Sequence, residues 1–578
     1  MIRFTAVLAA LLLSACAGAK ATTVAPPTAA GETARSISTG KLVGYVDQGT
    51  GAYAWKAIPF AAPPVGELRW RAPRPPLAWQ GERVSTKPAP WCPQILSALD
   101  GVDKARIGQI VGQEDCLYLD VYTPPMAADA ASAARLPVMM WIHGGSNTWG
   151  RAEQYDGSAL AARFNVVVVV VQYRLGPLGW LALDKVREGG TLPEDASANF
   201  GTLDHIRALE WIRDEIGAFG GDTSRVTVFG ESAGGHNVAA LLASPRAKGL
   251  FQRAIVQSGS FRSTPLAEAE GLEGDRADSA RVVAPKIVGQ GKPVTGEALR
   301  AAPMAAVFAA YDTSREGYDP PRVIADGVVL PAAGVSSNLG TPDAYNSVPV
   351  ITGTNRDEMK LFNALNPQLT KSLFGLFPVA RDKAFYEAAA AYPSRMWRVN
   401  AVDTPAAAMT NGGAEAVWAY RFDWDEEGSL LFTDLGQLLG AGHSLEIPFV
   451  FGNFKLLGNF DKYAFTKGNA PDRIVLSDSM MSYWVNFATT GKPGRGVKGD
   501  LPEWKAWSNA PGEERLMIFD TPKGGGVRMS KDQDSAARII ADIKADPTLK
   551  TDAQRCEIIK RTARDNGEIA AAAAAACG

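Results

Sequence analysis

The chain has 578 residues, and 46% of them are hydrophobic, so it can bury a large core. Its formal net charge of −2 leaves no basic surplus to hold a phosphate backbone. We therefore expect no nucleic-acid partner.

The first sixteen residues have the pattern of an export signal. Arg3 precedes an apolar run over residues 4–13, which is too short to cross a bilayer as a helix. The run ends in Leu13-Ser-Ala-Cys16, which is similar to a bacterial lipobox, whose cysteine carries the lipid. The alternative is an ordinary secretory signal that is cut after a small residue. We predict a protein of the periplasm or cell envelope with a lipid anchor at Cys16, or, in the alternative, a secreted one.

The rest of the chain divides by composition into three parts. Residues 17–40 are rich in Ala, Thr, Pro, Ser and Gly, which is typical of a flexible linker. Residues 41–560 contain no internal repeat and no Pro/Gly linker, so we predict a single domain there. Residues 561–578 include an alanine run and are predicted to form a low-complexity tail.

Four further cysteines follow Cys16, namely Cys92, Cys116, Cys556 and Cys577. An even set in an exported chain predicts disulfides. A bridge between Cys92 and Cys116 would close a loop of about 25 residues, worth about 3 kcal/mol in the chain-entropy model. No feature of the sequence supports a bond between Cys556 and Cys577 beyond the fact that these two cysteines remain. No CxxC motif or His/Cys cluster indicates a metal site.

Short apolar runs separated by helical patterns predict an α/β fold. Continuous apolar runs suit strands that are covered on both faces, as in a mostly parallel sheet. Between the second and third runs, an apolar stripe over residues 203–219 predicts a helix that stops at Gly220-Gly221, which gives βαβ order. Residues 262–345 and 355–415 have helix and loop patterns suited to capping a sheet. The predicted strands are Val138–Ile142, Val166–Val171, Val226–Phe229, Ala254–Gln257, Val348–Thr352 and Val417–Phe422.

A serine motif follows the third of these strands. Gly230-Glu-Ser232-Ala-Gly234 precedes a helix predicted over residues 235–242. In G-x-S-x-G between a strand and a helix, the serine lies on a tight turn, called a nucleophile elbow, that exposes its hydroxyl to a substrate carbonyl. The alternative is a glycine-rich turn with an incidental serine. The turn would lie at the carboxyl edge of the sheet, where open α/β sheets bind ligands, so Ser232 is the candidate nucleophile.

The candidate base follows from the order of the residues. A serine hydroxyl needs a base within hydrogen-bond reach, and histidine suits this role because its pKa lies near neutrality. In α/β-hydrolases the order is serine, acid, histidine. Of the four histidines, His143 and His205 precede the serine, and His236 leaves no room for an acid. His443, in a glycine-flanked segment, remains.

The acid is expected at the end of a strand between the serine and the histidine. Val348–Thr352 is followed closely by Asp357 and Glu358, and either carboxylate could orient the imidazole. The spacing alone does not choose between them.

A glycine-rich turn follows the first predicted strand. His143-Gly-Gly-Ser146 matches the turn that provides backbone donors to an oxyanion, each worth about 3 kcal/mol of barrier. The other donor is the amide after the nucleophile, Ala233. Glycines let the backbone approach the substrate closely, so His143 is predicted to be structural.

Ordered motifs from Gly44 to about Trp507 resemble those of type B carboxylesterases, the cholinesterase-like branch of the α/β-hydrolases. So many matches in one order exclude chance. The motifs are Ile58-Pro-Phe-Ala-Ala-Pro-Pro-Val-Gly-Glu-Leu-Arg-Trp70, Glu114-Asp-Cys-Leu-Tyr-Leu-Asp-Val-Tyr122, Tyr173-Arg-Leu-Gly-Pro-Leu-Gly179, Asn199-Phe-Gly, Phe219-Gly-Gly-Asp222, Gln257-Ser-Gly259, Asp326-Gly327, Phe449-Val-Phe-Gly452, Trp484-Val-Asn-Phe-Ala488 and Thr490-Gly-Lys-Pro.

The resemblance implies an α/β-hydrolase fold, with a large, mostly parallel central sheet, helices on both faces and helical or loop cap insertions. It implies that Glu358 is the acid and Asp357 a bystander. It also implies a disulfide between Cys92 and Cys116.

The activity implied by the resemblance is hydrolysis of small-molecule carboxylic esters through an acyl-enzyme, without a cofactor. Ser232, Glu358 and His443 would form the catalytic triad. The amides of Gly145, Ser146 and Ala233 would receive the oxyanion. Two alternative functions use the same fold, namely that of a non-catalytic binding protein and that of an acyltransferase. The sequence does not indicate the oligomeric state.

Four residues depart from the family pattern. Met359 and Ser444 replace usual glycines, and Ser146 replaces the third glycine of the oxyanion turn. Asn147 stands where an aromatic residue is common, which predicts a wider or more polar pocket.

The composition of the predicted disulfide loop limits the range of expected substrates. Choline-ester members of the family stack the substrate cation on a tryptophan in this loop. The loop between Cys92 and Cys116 has no aromatic residue, so a choline ester is not expected.

Overall fold

The computed structural model describes residues 27–97, 104–274, 276–311, 320–373, 377–414, 416–563 and residue 577. The predicted signal peptide, including Cys16, lies outside these residues, as does most of the predicted tail.

An eleven-stranded sheet forms the centre of the fold. Its spatial order is β11-β10-β9-β8-β7-β6-β4-β5-β3-β2-β1, with parallel pairing from β10 to β5 and antiparallel strands at both edges. The strands are β1 (Tyr45–Val46), β2 (Tyr53–Pro59), β3 (Tyr118–Thr123), β4 (Leu136–Ile142), β5 (Val167–Val171), β6 (Gly221–Glu231), β7 (Arg253–Gln257), β8 (Val350–Asn355), β9 (Val417–Phe422), β10 (Leu516–Phe519) and β11 (Arg528–Ser530).

All six predicted strands lie in the parallel part of this sheet, as β4 to β9. The predicted α/β-hydrolase fold is therefore confirmed. Alternate residues of β4 face opposite sides of the sheet, as strand geometry requires. Met140 packs into one apolar cluster and Trp141 into the other, so the sheet is buried on both faces.

Helices cover both faces of the sheet and fill the connections between strands. They are α1 (Ala128–Ala134), α2 (Ser158–Phe164), α3 (Gly176–Gly179), α4 (Asp184–Arg187), α5 (Phe200–Glu215), α6 (Ala233–Ala243), α7 (Leu266–Glu270), α8 (Ala280–Val288), α9 (Gly296–Ala301), α10 (Met304–Ala309), α11 (Met359–Ala364), α12 (Lys383–Arg398), α13 (Thr404–Asn411), α14 (Leu435–Leu438), α15 (Ile447–Phe451), α16 (Asp461–Ala464), α17 (Ala470–Thr490), α18 (Ala536–Ala545) and α19 (Asp552–Ala563).

In the described segments, short strands form five smaller sheets. One has three strands, Arg35–Ile37, Gly40–Val43 and Glu82–Val84. The two-stranded pairs are Gln94–Ile95 with Ile110–Val111, Thr264–Pro265 with Ile324–Ala325, Thr370–Leu373 with Phe377–Ala380, and Ser429–Leu430 with Thr433–Asp434.

The end of the predicted linker packs against the body of the protein. Thr33 is buried, and its carbonyl accepts a hydrogen bond of 2.9 Å from the indole of Trp55. Arg35 is also buried and donates to the carbonyl of Met126 at 2.8 Å. The packed part of the chain thus begins near residue 31 instead of residue 41.

Two disulfides are present among the residues that the structure describes. Cys92 and Cys116 are bonded, which confirms the predicted bridge. Cys556, on α19, is bonded to Cys577. Among the described helices, none is long and apolar enough to cross a membrane.

Candidate active site

The nucleophile candidate lies on a sharp turn between β6 and α6. Ser232 has φ 59° and ψ −122°, a strained conformation for a residue with a side chain. Its amide donates to the carbonyl of Gln257 on β7 at 2.9 Å. Gly234 permits the turn, because a Cβ there would lie 1.9 Å from the carbonyl oxygen of Ile142 at the end of β4. The Ser232 side chain is half-buried at the carboxyl edge of the sheet.

The acid candidate follows β8 and is fully buried. Glu358 Oε2 lies 2.5 Å from Nδ1 of His443. Its other oxygen, Oε1, accepts hydrogen bonds from the Ser258 hydroxyl at 2.5 Å and from the Asn355 amide at 2.8 Å. These bonds fix the carboxylate, which in turn fixes the imidazole. Asp357 instead pairs with the guanidinium of Arg356 at 2.7 Å.

The base candidate lies between two carboxylates. Nε2 of His443 is 3.2 Å from Oε1 of Glu231, the residue that precedes the nucleophile candidate. Within the described chain, the Ser232 hydroxyl makes no hydrogen bond to His443. The structure thus brings Glu358 and His443 together. Ser232 does not hydrogen-bond the imidazole, although the residue before it, Glu231, faces Nε2 of His443.

Three buried glutamates shift the pKa values of this site. Burial alone would lower the pKa of His443, but the charges of Glu231 and Glu358 outweigh it and raise this pKa to about 9. Burial raises the pKa of Glu231 to about 8, although a positive charge on His443 opposes the rise. Burial and the charge of Glu358 raise the pKa of Glu446 to about 7.

Glu446 belongs to a polar network behind His443. Its Oε2 accepts from the side-chain amide of Asn355 at 2.7 Å, and its Oε1 accepts from that of Gln257 at 3.2 Å. The Asn355 amide also donates to the carbonyl of Gly442 at 2.7 Å. This network connects the ends of β7 and β8 to the loop that carries His443.

Sequence reasoning did not identify Glu231, Ser258 or Glu446 as site residues. Glu231 and Ser258 both lie inside quoted motifs, as the second residue of G-E-S-A-G and the middle one of Gln-Ser-Gly. Both are polar residues at or just after the end of a buried strand, and this pattern could have identified them as site residues. Glu446, three residues after His443, gave none.

Two aromatic rings pack beside the imidazole. The ring centroids of Trp397 on α12 and Phe362 on α11 lie 4.9 Å and 5.2 Å from that of His443. The Trp397 indole donates to the carbonyl of Ser258 at 3.3 Å. The rings limit the movement of the imidazole and exclude water from one side of it.

The predicted oxyanion donors lie on two elements. Gly145 has φ 92° and Ser146 has φ 55°, so both are in the left-handed region. Ala233 is the first residue of α6. Among the described residues, the amides of Gly145, Ser146 and Ala233 donate to no protein acceptor. A Cβ at Gly144 would lie 3.1 Å from Cβ of Ser232, which shows how closely the turn approaches the nucleophile candidate.

The other three histidines have other environments. Burial lowers the pKa values of His143 to about 4, of His205 to about 3 and of His236 to about 4. Nδ1 of His143 lies 2.9 Å from the carbonyl oxygen of Gly144, and Nε2 of His236 lies 2.5 Å from that of Arg262. All three are neutral at neutral pH.

The expectation for Asn147 is wrong in one respect. Its side chain is only 1% exposed and bonds Asn237 and Tyr173, so its amide does not add polarity to an open pocket. Ser444 keeps φ 69°, and its hydroxyl donates to Oε1 of Glu231 at 2.9 Å. Met359 begins α11, and its amide donates to the Ser394 hydroxyl at 3.0 Å. In the part of the chain that is described, no group of His, Cys, Asp or Glu could hold a metal ion.

Comparisons with known proteins give one consistent result. The family model described as "Carboxylesterase family" matches residues 31–398 and 380–535. Para-nitrobenzyl esterase of Bacillus subtilis is 34% identical over 518 residues, which are 83% of this chain and 93% of that protein. Human cocaine esterase is 33% identical over 85% of this chain and 88% of its own length. Fumonisin B1 esterase of Sphingopyxis macrogoltabida is 33% identical over 81% of this chain and 83% of its own length.

Solved structures agree with these relatives. A PNB esterase structure superposes with a TM-score of 0.68 at 32% identity, over 88% of this chain and 99% of that one. The Geobacillus stearothermophilus carboxylesterase EST55 superposes with a TM-score of 0.67 at 29% identity, over the same shares of the two chains.

Proposed function

Because the chain belongs to the carboxylesterase family and is an enzyme of that class, we propose that it hydrolyses small-molecule carboxylic esters with a Ser232–His443–Glu358 triad. One observation carries this proposal. A buried carboxylate lies 2.5 Å from Nδ1 of the one histidine that follows the elbow serine at a distance in the chain. This contact orients the ring and stabilises its protonated form.

In the first step, the Ser232 hydroxyl attacks the acyl carbon of the ester. Nε2 of His443 takes the hydroxyl proton, and Glu358 stabilises the resulting imidazolium. The carbonyl oxygen becomes an oxyanion, which the amides of Gly145, Ser146 and Ala233 receive. The tetrahedral intermediate then collapses, the imidazolium gives its proton to the leaving alcohol, and an acyl-enzyme remains.

In the second step, water replaces the alcohol. His443 removes a proton from the water as its oxygen attacks the acyl carbon. A second tetrahedral intermediate forms and is held by the same amides. Its collapse returns the proton to Ser232 and releases the carboxylic acid. Protein groups alone provide the base, the orienting charge and the oxyanion donors in this scheme.

The resting geometry requires one adjustment before the first step. Nε2 of His443 faces Glu231 at 3.2 Å, and the Ser232 hydroxyl must take over this contact. We expect rotation of the serine side chain and a shift of the ring to bring the hydroxyl to the nitrogen. Hydrogen bonds of catalytic groups commonly tighten only when substrate is bound.

The location of the enzyme is also part of the proposal. Cys16 would carry a lipid that anchors the chain in the cell envelope, which places the site among external esters. A Cys16→Ser variant is expected to leave the membrane fraction of expressing cells. Retention of that variant in the membrane fraction would refute the anchor.

The test of the activity is a panel of p-nitrophenyl esters of increasing acyl length. Wild type is expected to hydrolyse members of the panel and to gain the mass of one phosphonyl group from a fluorophosphonate. Ser232→Ala is expected to lose at least about 10³-fold in kcat and all labelling, because the nucleophile is missing. The control is Ser132→Ala, which changes an exposed serine.

Each alternative function has its own outcome in this test. A wild type that hydrolyses no ester and takes no label would favour the binding protein. Transfer of the acyl group to an added alcohol, in preference to water, would favour the acyltransferase. Unchanged activity in Ser232→Ala would refute the assigned nucleophile.

A further inference from the structure

We propose that Asn147 and Asn237 are positioning residues that hold the two halves of the oxyanion site at a fixed separation. The inference rests on the proposed ester hydrolysis. It concerns a side-chain pair whose members touch neither the substrate nor the triad.

The two halves of the oxyanion site belong to different elements. Gly145 and Ser146 lie on the turn after β4, whereas Ala233 is the first residue of α6. Backbone pairing of β4 with β6 ends at Ile142 and Gly230, before the donors are reached. Among the described residues, no backbone hydrogen bond joins the turn to α6. Glycines bring the two backbones into close contact, since a Cβ at Gly144 would lie 3.1 Å from Cβ of Ser232. A hydrogen bond between side chains would add a directional restraint to this packing.

A pair of buried side-chain amides makes such a hydrogen bond. Asn237 Nδ2 donates to Asn147 Oδ1 at 2.8 Å, and Asn147 Nδ2 lies 3.4 Å from Asn237 Oδ1 in the reverse direction. Asn147 is 1% exposed and Asn237 is fully buried. Buried amides that bond each other resist separation, because each would otherwise lose a partner that water cannot replace.

A tyrosine fixes the turn side of this pair. The Tyr173 hydroxyl lies 3.1 Å from Asn147 Oδ1 and 2.8 Å from the carbonyl oxygen of His143. The carbonyl of Asn147 accepts from the Gly176 amide at 2.7 Å. Asn147 is thus held through both its side chain and its backbone, and it transmits that position to the preceding amides.

The backbone of the turn needs such support. Ser146 has φ 55° and Asn147 has φ 56°, so two consecutive residues with side chains occupy the left-handed region. Each costs on the order of 1 kcal/mol and persists only where surrounding contacts impose it. Asparagine tolerates this region best among residues with a side chain, which explains how it can replace an aromatic residue here.

The variants that test the pair are Asn147→Leu, Asn237→Leu and the double variant. The leucine side chain has a similar volume and offers no hydrogen bond. We expect kcat on the best p-nitrophenyl ester to fall about 10- to 100-fold, because the oxyanion donors lose their alignment. KM is expected to change less than about twofold, since ground-state binding is not touched.

The inhibition constant of a transition-state analogue provides the decisive measurement. A trifluoromethyl ketone with the acyl chain of that ester forms a hemiketal whose oxyanion occupies the donor site. Its inhibition constant is expected to rise by the same factor by which kcat falls. The acid limb of the pH profile is expected to stay in place, because the Glu358–His443 pair is unchanged.

Two further variants separate this role from a general loss of packing. Asn147→Asp keeps the acceptor oxygen for Asn237 and Tyr173, so it is expected to retain more activity than Asn147→Leu. Asn486→Leu removes an amide that bonds the carbonyls of Lys492 and Pro493 at 3.0 Å, and it is expected to affect stability alone.

Variants of the pair that lose thermal stability but keep kcat and the inhibition constant would overturn the inference. Equal loss of activity in Asn486→Leu would overturn it as well. If the leucine variants do not fold, Asn237→Ser gives the same readings with a smaller change. Failure of the proposed function is distinct, because wild type itself would then neither hydrolyse esters nor bind the ketone.

Discussion

The imidazole of His443 has a carboxylate at each ring nitrogen. Glu358 lies 2.5 Å from Nδ1, and Glu231 lies 3.2 Å from Nε2. In the proposed mechanism His443 is the base, and the two carboxylates stabilise its protonated form, which cannot accept the serine proton. Because the pKa of His443 is raised to about 9, the neutral form that catalysis needs increases as the pH rises.

Replacing Glu231 by glutamine should therefore move the pH profile. Glu231 makes the largest contribution that raises the pKa of His443. Without its charge this pKa falls, and the rising limb of kcat/KM is expected to move to lower pH. The measurement is kcat/KM for a p-nitrophenyl ester whose leaving group does not titrate over the range used.

The control for this prediction is Glu514→Gln, which removes a carboxylate that pairs with Lys505 at the surface. Its profile should match that of wild type. A Glu231→Gln profile with its limb unmoved, or moved to higher pH, would show that this carboxylate carries no charge beside the base.

The identity of the triad candidates follows from the sequence, but their resting contacts do not. The order of serine, acid and histidine, with the family motifs, was enough to single out Ser232, Glu358 and His443. The contact between His443 and Glu231 depends on side-chain rotamers in a buried site. It also depends on Ser444, whose hydroxyl holds the same Glu231 oxygen at 2.9 Å. No sequence pattern specifies such a three-residue arrangement.

At the scale of elements, the elbow depends on close approach between backbones. The end of β4 and the first turn of α6 are in contact, and a Cβ at Gly234 would lie 1.9 Å from the carbonyl oxygen of Ile142. A backbone atom cannot move aside as a flexible side chain can. The glycine is therefore required by the geometry of the elbow, independently of any role in chemistry.

Gly234→Ala is expected to be strongly destabilising for this reason. Overpacking against backbone costs on the order of 3 kcal/mol, which lowers the free energy of unfolding and displaces the Ala233 amide. The measurements are denaturant unfolding and kcat/KM of the folded fraction.

A matched glycine supplies the control. A Cβ at Gly217, after α5, meets no atom within 4 Å, so Gly217→Ala should leave both stability and activity near wild type. Equal stability of the two variants would contradict the close approach at the elbow.

Strand positions were predictable from apolar runs, but strand ends were not. The pattern for β8 stopped at Thr352, whereas the strand continues to Asn355. The additional residues are polar or glycine, and they are nevertheless buried because their backbones continue to pair with β9 as far as Phe422. The side chain of Asn355 also bonds both Glu446 and Gly442. The rule that polar residues end a strand fails where a functional site supplies partners.

At the scale of the whole molecule, a third apolar cluster lies apart from the two that flank the sheet. It is formed by α18 and α19 against α12, with Ile539, Ile543 and Ile558 buried in it. Arg395 of α12 adds ion pairs of 2.6 Å to both Asp534 and Asp542. This helical pair lies beyond residue 535, where the match to the family model ends.

Ile543→Ala is expected to destabilise the protein by about 2–5 kcal/mol, because a fully buried side chain leaves a cavity. It should also lower kcat/KM, since α12 carries Trp397 beside His443. Thermal unfolding and ester hydrolysis measure the two effects.

Ile540→Ala is the control on the same helix, where the side chain is only half-buried. It is expected to cost less in both measurements. Activity that is unaffected in Ile543→Ala at temperatures where the variant is folded would separate the helical pair from the site.

This docking was not predictable from the sequence, although most of the helical pair lies within the predicted domain of residues 41–560. The contact between α12 and α19 joins segments more than 150 residues apart, and amphipathic periodicity does not identify which surface a helix covers. Only the assembled fold shows it.

The separate cluster has a consequence for how the enzyme would fail on heating. A helical pair with its own small core can detach at a lower temperature than the sheet, since local opening costs less than global unfolding. Its loss would release α12, and with it the ring that packs against the base. Turnover would then decline while the circular dichroism of the sheet still appears native, so thermal inactivation would precede melting.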